Sequence, residues 1–111
     1  MRTDPIILDI YKAAKEDYDV IEVNFSSGHI RYRDSDYEYV VKSRQDAVRP
    51  CVAAKFRSLK EEFCLYDTIH GHSPQDVTRK VFRFFDIWTG SHIEYMDNEE
   101  YRYGRQEGSI D

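Results

Sequence analysis

The chain has little of what readable functional motifs are made from. Only two cysteines occur in 111 residues, Cys51 and Cys64, and they form no CxxC pair. A disulfide framework and a zinc knuckle are therefore excluded, and both thiols are expected to be reduced and buried. Three prolines and five glycines are too few for a collagen-like or low-complexity chain. No P-loop, GxGxxG, GxSxG or RNP aromatic signature is present, which removes the usual nucleotide cradles, the hydrolase elbow and the common RNA-binding modules. No stretch approaches the ~18–20 apolar residues of a membrane span. The opening MRTDPIILDIYKAAK has too short an apolar run for a secretory signal, and no small-residue cleavage site. The expectation is a cytoplasmic protein with no cofactor and no membrane association.

What is there is aromatic and charged. Nine Tyr, six Phe and one Trp lie within a 41% hydrophobic fraction, and 33% of residues are charged. That is enough for one core and one domain. The low mean hydropathy of −0.73 implies a heavily solvated exterior. Net charge is −5 and unevenly spread. Residues 1–41 carry five basic and nine acidic side chains, residues 42–85 nine and five, and residues 86–111 two and seven. An acidic total argues against a general nucleic-acid binder, which is usually basic overall. The basic middle permits one basic face, although charges of this kind more often solvate helix surfaces.

The periodicity predicts an α+β domain over residues 1–105 with a polar tail over 106–111. Asp4 caps a first helix with Pro5 at its first position and Ile7, Ile10, Ala14 and Tyr18 at helical spacing, ending near Asp17. The period then becomes two. Ile21, Val23 and Phe25, then Ile30 and Tyr32, then Tyr37, Tyr39 and Val41 alternate with polar residues and are separated by turn signals at Ser26–Gly28 and Asp34–Asp36. This is an antiparallel meander with Glu22, Asn24, Arg31, Arg33 and Glu38 facing water. Val52, Phe56, Leu59 and Phe63, spaced four, three and four, read as a second helix starting at Arg49 or Pro50. LYDTIHGHS reads as a connector. Ser73 and Pro74 open a third helix that Gly90 closes, and HIEYM and YRYGR read as short final strands. The whole is a small two-layer sandwich: an antiparallel sheet of three to five strands packed by about three helices.

Three constellations carry candidate chemistry. Asp67, His70 and His72 form the only compact ligand-like cluster and point to a small metal- or phosphate-handling, nuclease-like enzyme. Short HxH pairs have little specificity outside a known strand context, so a polar loop is the more economical reading. Arg79, Lys80 and Arg83 could contact phosphate at the start of the third helix, as a regulatory nucleic-acid binder would. The C-terminal third combines Tyr95, Tyr101 and Tyr103 with Asp97, Glu99 and Glu100. Tyrosine offers large contact area at low entropic cost, and surrounding carboxylates steer a basic partner. The preferred expectation is a non-enzymatic protein-binding module, of the inhibitor or immunity type, docking on a basic protein through these six residues. No metal or other cofactor enters this reading.

Overall fold

The computed structural model describes residues 2–97. Elements follow in the order α1 (Pro5–Asp17), β1 (Asp19–Asn24), β2 (His29–Arg33), β3 (Tyr37–Ser43), β4 (Cys51–Ser58), β5 (Cys64–His70) and α2 (Pro74–Asp97). The five strands form one antiparallel open sheet in the order β1-β2-β3-β4-β5. Both helices cover the same face: α1 packs on β1, β2 and β3, α2 on β4 and β5, and the helices touch each other. The class is α+β with two helices among the described residues rather than about three.

The first helix and the first hairpins follow the sequence pattern. Asp4 is buried, and its Oδ1 accepts hydrogen bonds from the N–H groups of Ile6 and Ile7 at 3.0 Å. This satisfies donors that a helix start leaves orphaned. Its backbone N–H also bonds the Phe25 carbonyl at 2.7 Å, which ties the start of α1 to the β1–β2 turn. Gly28 in that turn has φ +76°, and a Cβ there would lie 2.9 Å from the Ser43 Cβ, so glycine is required by both backbone and space. Within β1 the register slips between Val20 and Glu22. That bulge turns Ile21 outward, 39% exposed, where simple alternation places it inside.

The expected helix over 49–63 does not form. Cys51–Ser58 is β4, Leu59–Phe63 a turn, and LYDTIH completes β5 instead of a connector. Val52 and Phe56 satisfy a helical spacing of four and an alternating spacing of two at once. The structure takes the second, with Val52, Ala54 and Phe56 all fully buried and alternating with half-buried Ala53 and exposed Lys55 and Arg57. Pro50 then ends a loop before a strand and interrupts no helix. Gly90 does not close α2, which runs on through HIEYM to Asp97. Gly90 has no positive φ and open space around it, so it is a tolerated interior glycine rather than a cap. No described helix is long and apolar enough to cross a membrane. The expected YRYGR strand and the 106–111 tail lie outside the described residues.

The core is aromatic. Tyr39 pairs with Tyr32 on one side and Phe56 on the other, and Phe85 of α2 closes on Tyr39 with ring centroids 4.7 Å apart. Tyr32 is fully buried, and its hydroxyl has no hydrogen-bond partner among the described residues. An unsatisfied buried hydroxyl costs about 1–3 kcal/mol. Two neighbours in one cluster should therefore respond oppositely in urea unfolding. Phe56→Ala is expected to lose about 3–5 kcal/mol through the cavity it leaves, whereas Tyr32→Phe is expected to be neutral or stabilising.

Candidate functional site

The meander sets which ends of the molecule coincide. The β1–β2 turn and the β3–β4 loop share one end. Asp4 holds the start of α1 there, and Gly71, just before α2, bonds its N–H to the Pro50 carbonyl at 3.0 Å. Both helices therefore start at that end and run parallel along the sheet. At the far end Tyr18 after α1 packs its ring on Tyr32 and Tyr39, and the Tyr37 hydroxyl donates to the Thr89 carbonyl of α2 at 3.2 Å.

The far end collects acid. Asp17 ends α1, Asp19 begins β1, Asp34 and Asp36 form the β2–β3 turn, Glu61 and Glu62 lie in the β4–β5 turn, and Asp86 is on α2. Two cations there are engaged locally: Arg33 with Asp19 at 3.5 Å and Lys60 with Asp36 at 2.8 Å. A shallow depression of about 540 Å³ is lined by Asp17, Asp19, Arg33, Asp34, Ser35 and Leu59. Leu59 is 37% exposed and offers apolar contact beside the carboxylates, a combination suited to the stem and head of a Lys or Arg side chain. The field is felt by the tyrosines. Burial raises the Tyr18 hydroxyl pKa first, and Asp86, Asp34 and Asp17 raise it further; for Tyr37, burial is followed by Asp36, Asp34 and Glu61.

This placement opposes the helix dipoles. A helix C-terminus carries roughly half a negative charge, and Glu16 and Asp17 outnumber Lys15 in the last turn of α1. Eight residues beyond Thr89 take the α2 axis about 12 Å further in the same direction, carrying the backbone positions of Tyr95 and Asp97 onward from the acidic end. Of the six residues that the sequence nominates as a docking surface, these two lie on α2, Tyr95 where a strand is expected and Asp97 where a turn is expected. Glu99, Glu100, Tyr101 and Tyr103 lie outside the described residues. The acidic turns nearby, scattered over five separate segments, carry no linear motif; only the folded order of the meander brings them together.

The other constellations come apart. Asp67 and His70 stand on β5 three positions apart, and alternation sends them to opposite faces, Asp67 towards α2 with Leu65 and Ile69, His70 to the open face. His72 follows the strand, its N–H donating to Asp76 Oδ2 at 2.9 Å. Among the described residues no group of three His, Cys, Asp or Glu side chains is placed to hold a metal ion. Arg79 is paired with Asp76 at 2.6 Å, and Lys80 with Asp76 at 3.4 Å and the His70 carbonyl at 3.1 Å, so two of the three cations are engaged with Asp76; Arg79 and Arg83 are exposed. Cys51 is buried as expected, but Cys64 is exposed because it falls on the open face beside Arg57. The two thiols sit at opposite ends of the β4–β5 pair, beyond disulfide reach.

Comparison with family models, curated proteins and solved structures finds no match for this chain.

Two measurements probe this electrostatic arrangement. Asp17→Lys, which swaps an acid for a base at the end of α1, is expected to raise stability by about 0.3–1 kcal/mol in thermal or urea unfolding. Asp76 is held to a pKa of about 2 by the His72 N–H and Arg79, below its ordinary value of 3.8. Its contribution is present above the ordinary value and lost as pH falls from about 4 towards 2. Asp76→Asn is expected to flatten the stability profile in that window.

Proposed function

We propose that this chain is a non-enzymatic protein-binding module that docks on a basic protein surface through its acidic far end and the α2 segment that continues from it. One observation carries the reading: seven carboxylates against two paired cations sit at the end where α1 terminates and past which α2 continues. For Glu16 and Asp17 in the last turn of α1, folding stability alone disfavours the placement, and local rules are broken most often where function requires it. A basic partner would turn the cost into attraction, neutralising side chains and helix ends together and accelerating encounter. Tyr95, Asp97, Glu99, Glu100, Tyr101 and Tyr103 are the residues this reading assigns to the partner by their chemistry, tyrosines for contact area and carboxylates for steering. An inhibitor or immunity-type role, in which the module covers the basic cleft of an enzyme, is the form of binding that this chemistry serves best.

The test is affinity capture from the source cells with mass-spectrometric identification, run in parallel on three variants. Asp17→Lys/Asp86→Lys and Glu99→Lys/Glu100→Lys are each expected to lose at least tenfold in affinity for the captured basic protein, with binding of the parent falling as salt rises. Lys42→Glu/Lys55→Glu, on the open sheet face, is expected to retain it. Capture that survives both acid reversals removes the proposal.

A further inference from the structure

We propose that two copies of this chain associate through β5, edge to edge and antiparallel, extending the sheet across a two-fold axis at Tyr66. The inference is independent of the acidic end and goes beyond the binding role assigned to it.

The hydrogen-bond parity of β5 is fixed by its flanks. Ser58 N–H bonds the Phe63 carbonyl at 2.8 Å, and Gly71 N–H bonds the Pro50 carbonyl at 3.0 Å. Odd-numbered residues of this strand therefore face β4 with their backbone groups, and Cys64, Tyr66, Thr68 and His70 turn theirs outward. Sheet edges are normally blunted by lysine, proline or a bulge. The other edge strand, β1, has a register slip and carries Asp19 and Glu22. The CLYDTIH strand has no lysine, arginine or proline, and pairs with β4 in unbroken register from Cys51–His70 to Arg57–Cys64. Its outer groups are engaged at two places, Thr68 N–H by Asp67 Oδ1 at 2.8 Å and the His70 carbonyl by Lys80 Nζ at 3.1 Å. The middle of the edge, around Tyr66, is thus the part without such cover among the described residues.

Exposed apolar side chains bracket that same point from both layers. Tyr66 is 74% exposed on the open face. Lys80, Phe84 and Ile87 form one stripe of α2 at spacings of four and three, and Lys80 fixes that stripe over the β5 edge. Ile87, 47% exposed, lies about 10 Å further along the helix axis, some three strand residues from His70, level with Asp67 and Tyr66. An edge partner would cover both.

Self-complementarity selects a second copy. A two-fold at Tyr66 sets Tyr66 opposite itself, Cys64 opposite the second copy's Thr68, and Glu62 opposite the second copy's His70, an acid facing a base. Of the two neighbouring parity-compatible registers, one residue on would set Asp67 against Asp67, a like-charge pair, and one residue back would set His70 opposite the second copy's Lys60, a base facing a base. In the chosen register the N–H groups of Cys64 and Tyr66 meet the carbonyls of Thr68 and Tyr66 without displacing either existing cap.

Sedimentation equilibrium of the full chain, from micromolar to hundreds of micromolar, is expected to show a monomer–dimer equilibrium. Tyr66→Lys is expected to weaken it by about tenfold or more, since like charges then meet on the axis; circular dichroism should be unchanged because the side chain is exposed. In a Cys64→Ser background, Tyr66→Cys should oxidise to a cross-linked dimer, and Lys42→Cys, on the same face but two strands inward, should not. A chain that stays monomeric throughout, or a dimer indifferent to Tyr66→Lys, overturns the proposal.

Discussion

The contact on which everything else hangs is that of Phe85 with the two central strands. Tyr39 on β3 and Phe56 on β4 are register partners, and Phe85 packs against both, at 4.7 and 6.1 Å between centroids. Burying aromatic surface of this size supplies much of the drive to hold α2 on the sheet. Once α2 lies there, α1 has only the β1–β3 half of the same face to cover, and its cap at Asp4 fixes its direction. Parallel helices follow, and with them a molecule whose two helix dipoles add.

The opposite sheet face is left to charge pairing. Glu38 is almost buried there, yet it is not water-facing as the alternation implies: its carboxylate lies between Arg57 at 2.6 Å and Arg31 at 3.0 Å. Such a pairing offsets the desolvation of a carboxylate on a half-covered face. At the far end two of the seven carboxylates are paired with cations, Asp19 with Arg33 and Asp36 with Lys60, while Asp34 accepts hydrogen bonds from the Asp36 and Tyr37 N–H groups and the Tyr39 hydroxyl. Acids there outnumber the nearby cations, whereas Glu38 lies between two arginines.

How far the sequence discloses this depends on whether one period competes with another. Asp4–Pro5 and the stripe from Ile7 to Ala14 admit only a helix, and Ile30, Tyr32, Tyr39 and Val41 admit only strands; both are found as expected. Val52 and Phe56 fit two periods, because Ala53 and Ala54 are neutral in either, and pairing with β3 and β5 decides between them at long range. The bulge that exposes Ile21 leaves no mark in local composition. Gly90 reads as a stop only if the chain there adopts a left-handed backbone, which it does not. Cys64 reads as buried from its neighbours Phe63 and Leu65, but a strand sends adjacent residues to opposite faces, and the same alternation parts Asp67 from His70. The acidic end is invisible in linear order, since Asp17, Asp34, Glu61 and Asp86 become neighbours only when the meander closes.

The acidic end acts as one surface towards cationic groups, or the account fails. Titrating isotope-labelled full-length protein with a short oligolysine peptide at low salt, and following backbone amide shifts, tests this directly. The account predicts shifts concentrated at residues 17–19, 34–36, 59–62 and 86–97, titrating together with one affinity. Shifts spread evenly over the molecule's other carboxylates, such as Asp9, Glu22 and Asp46, would contradict it.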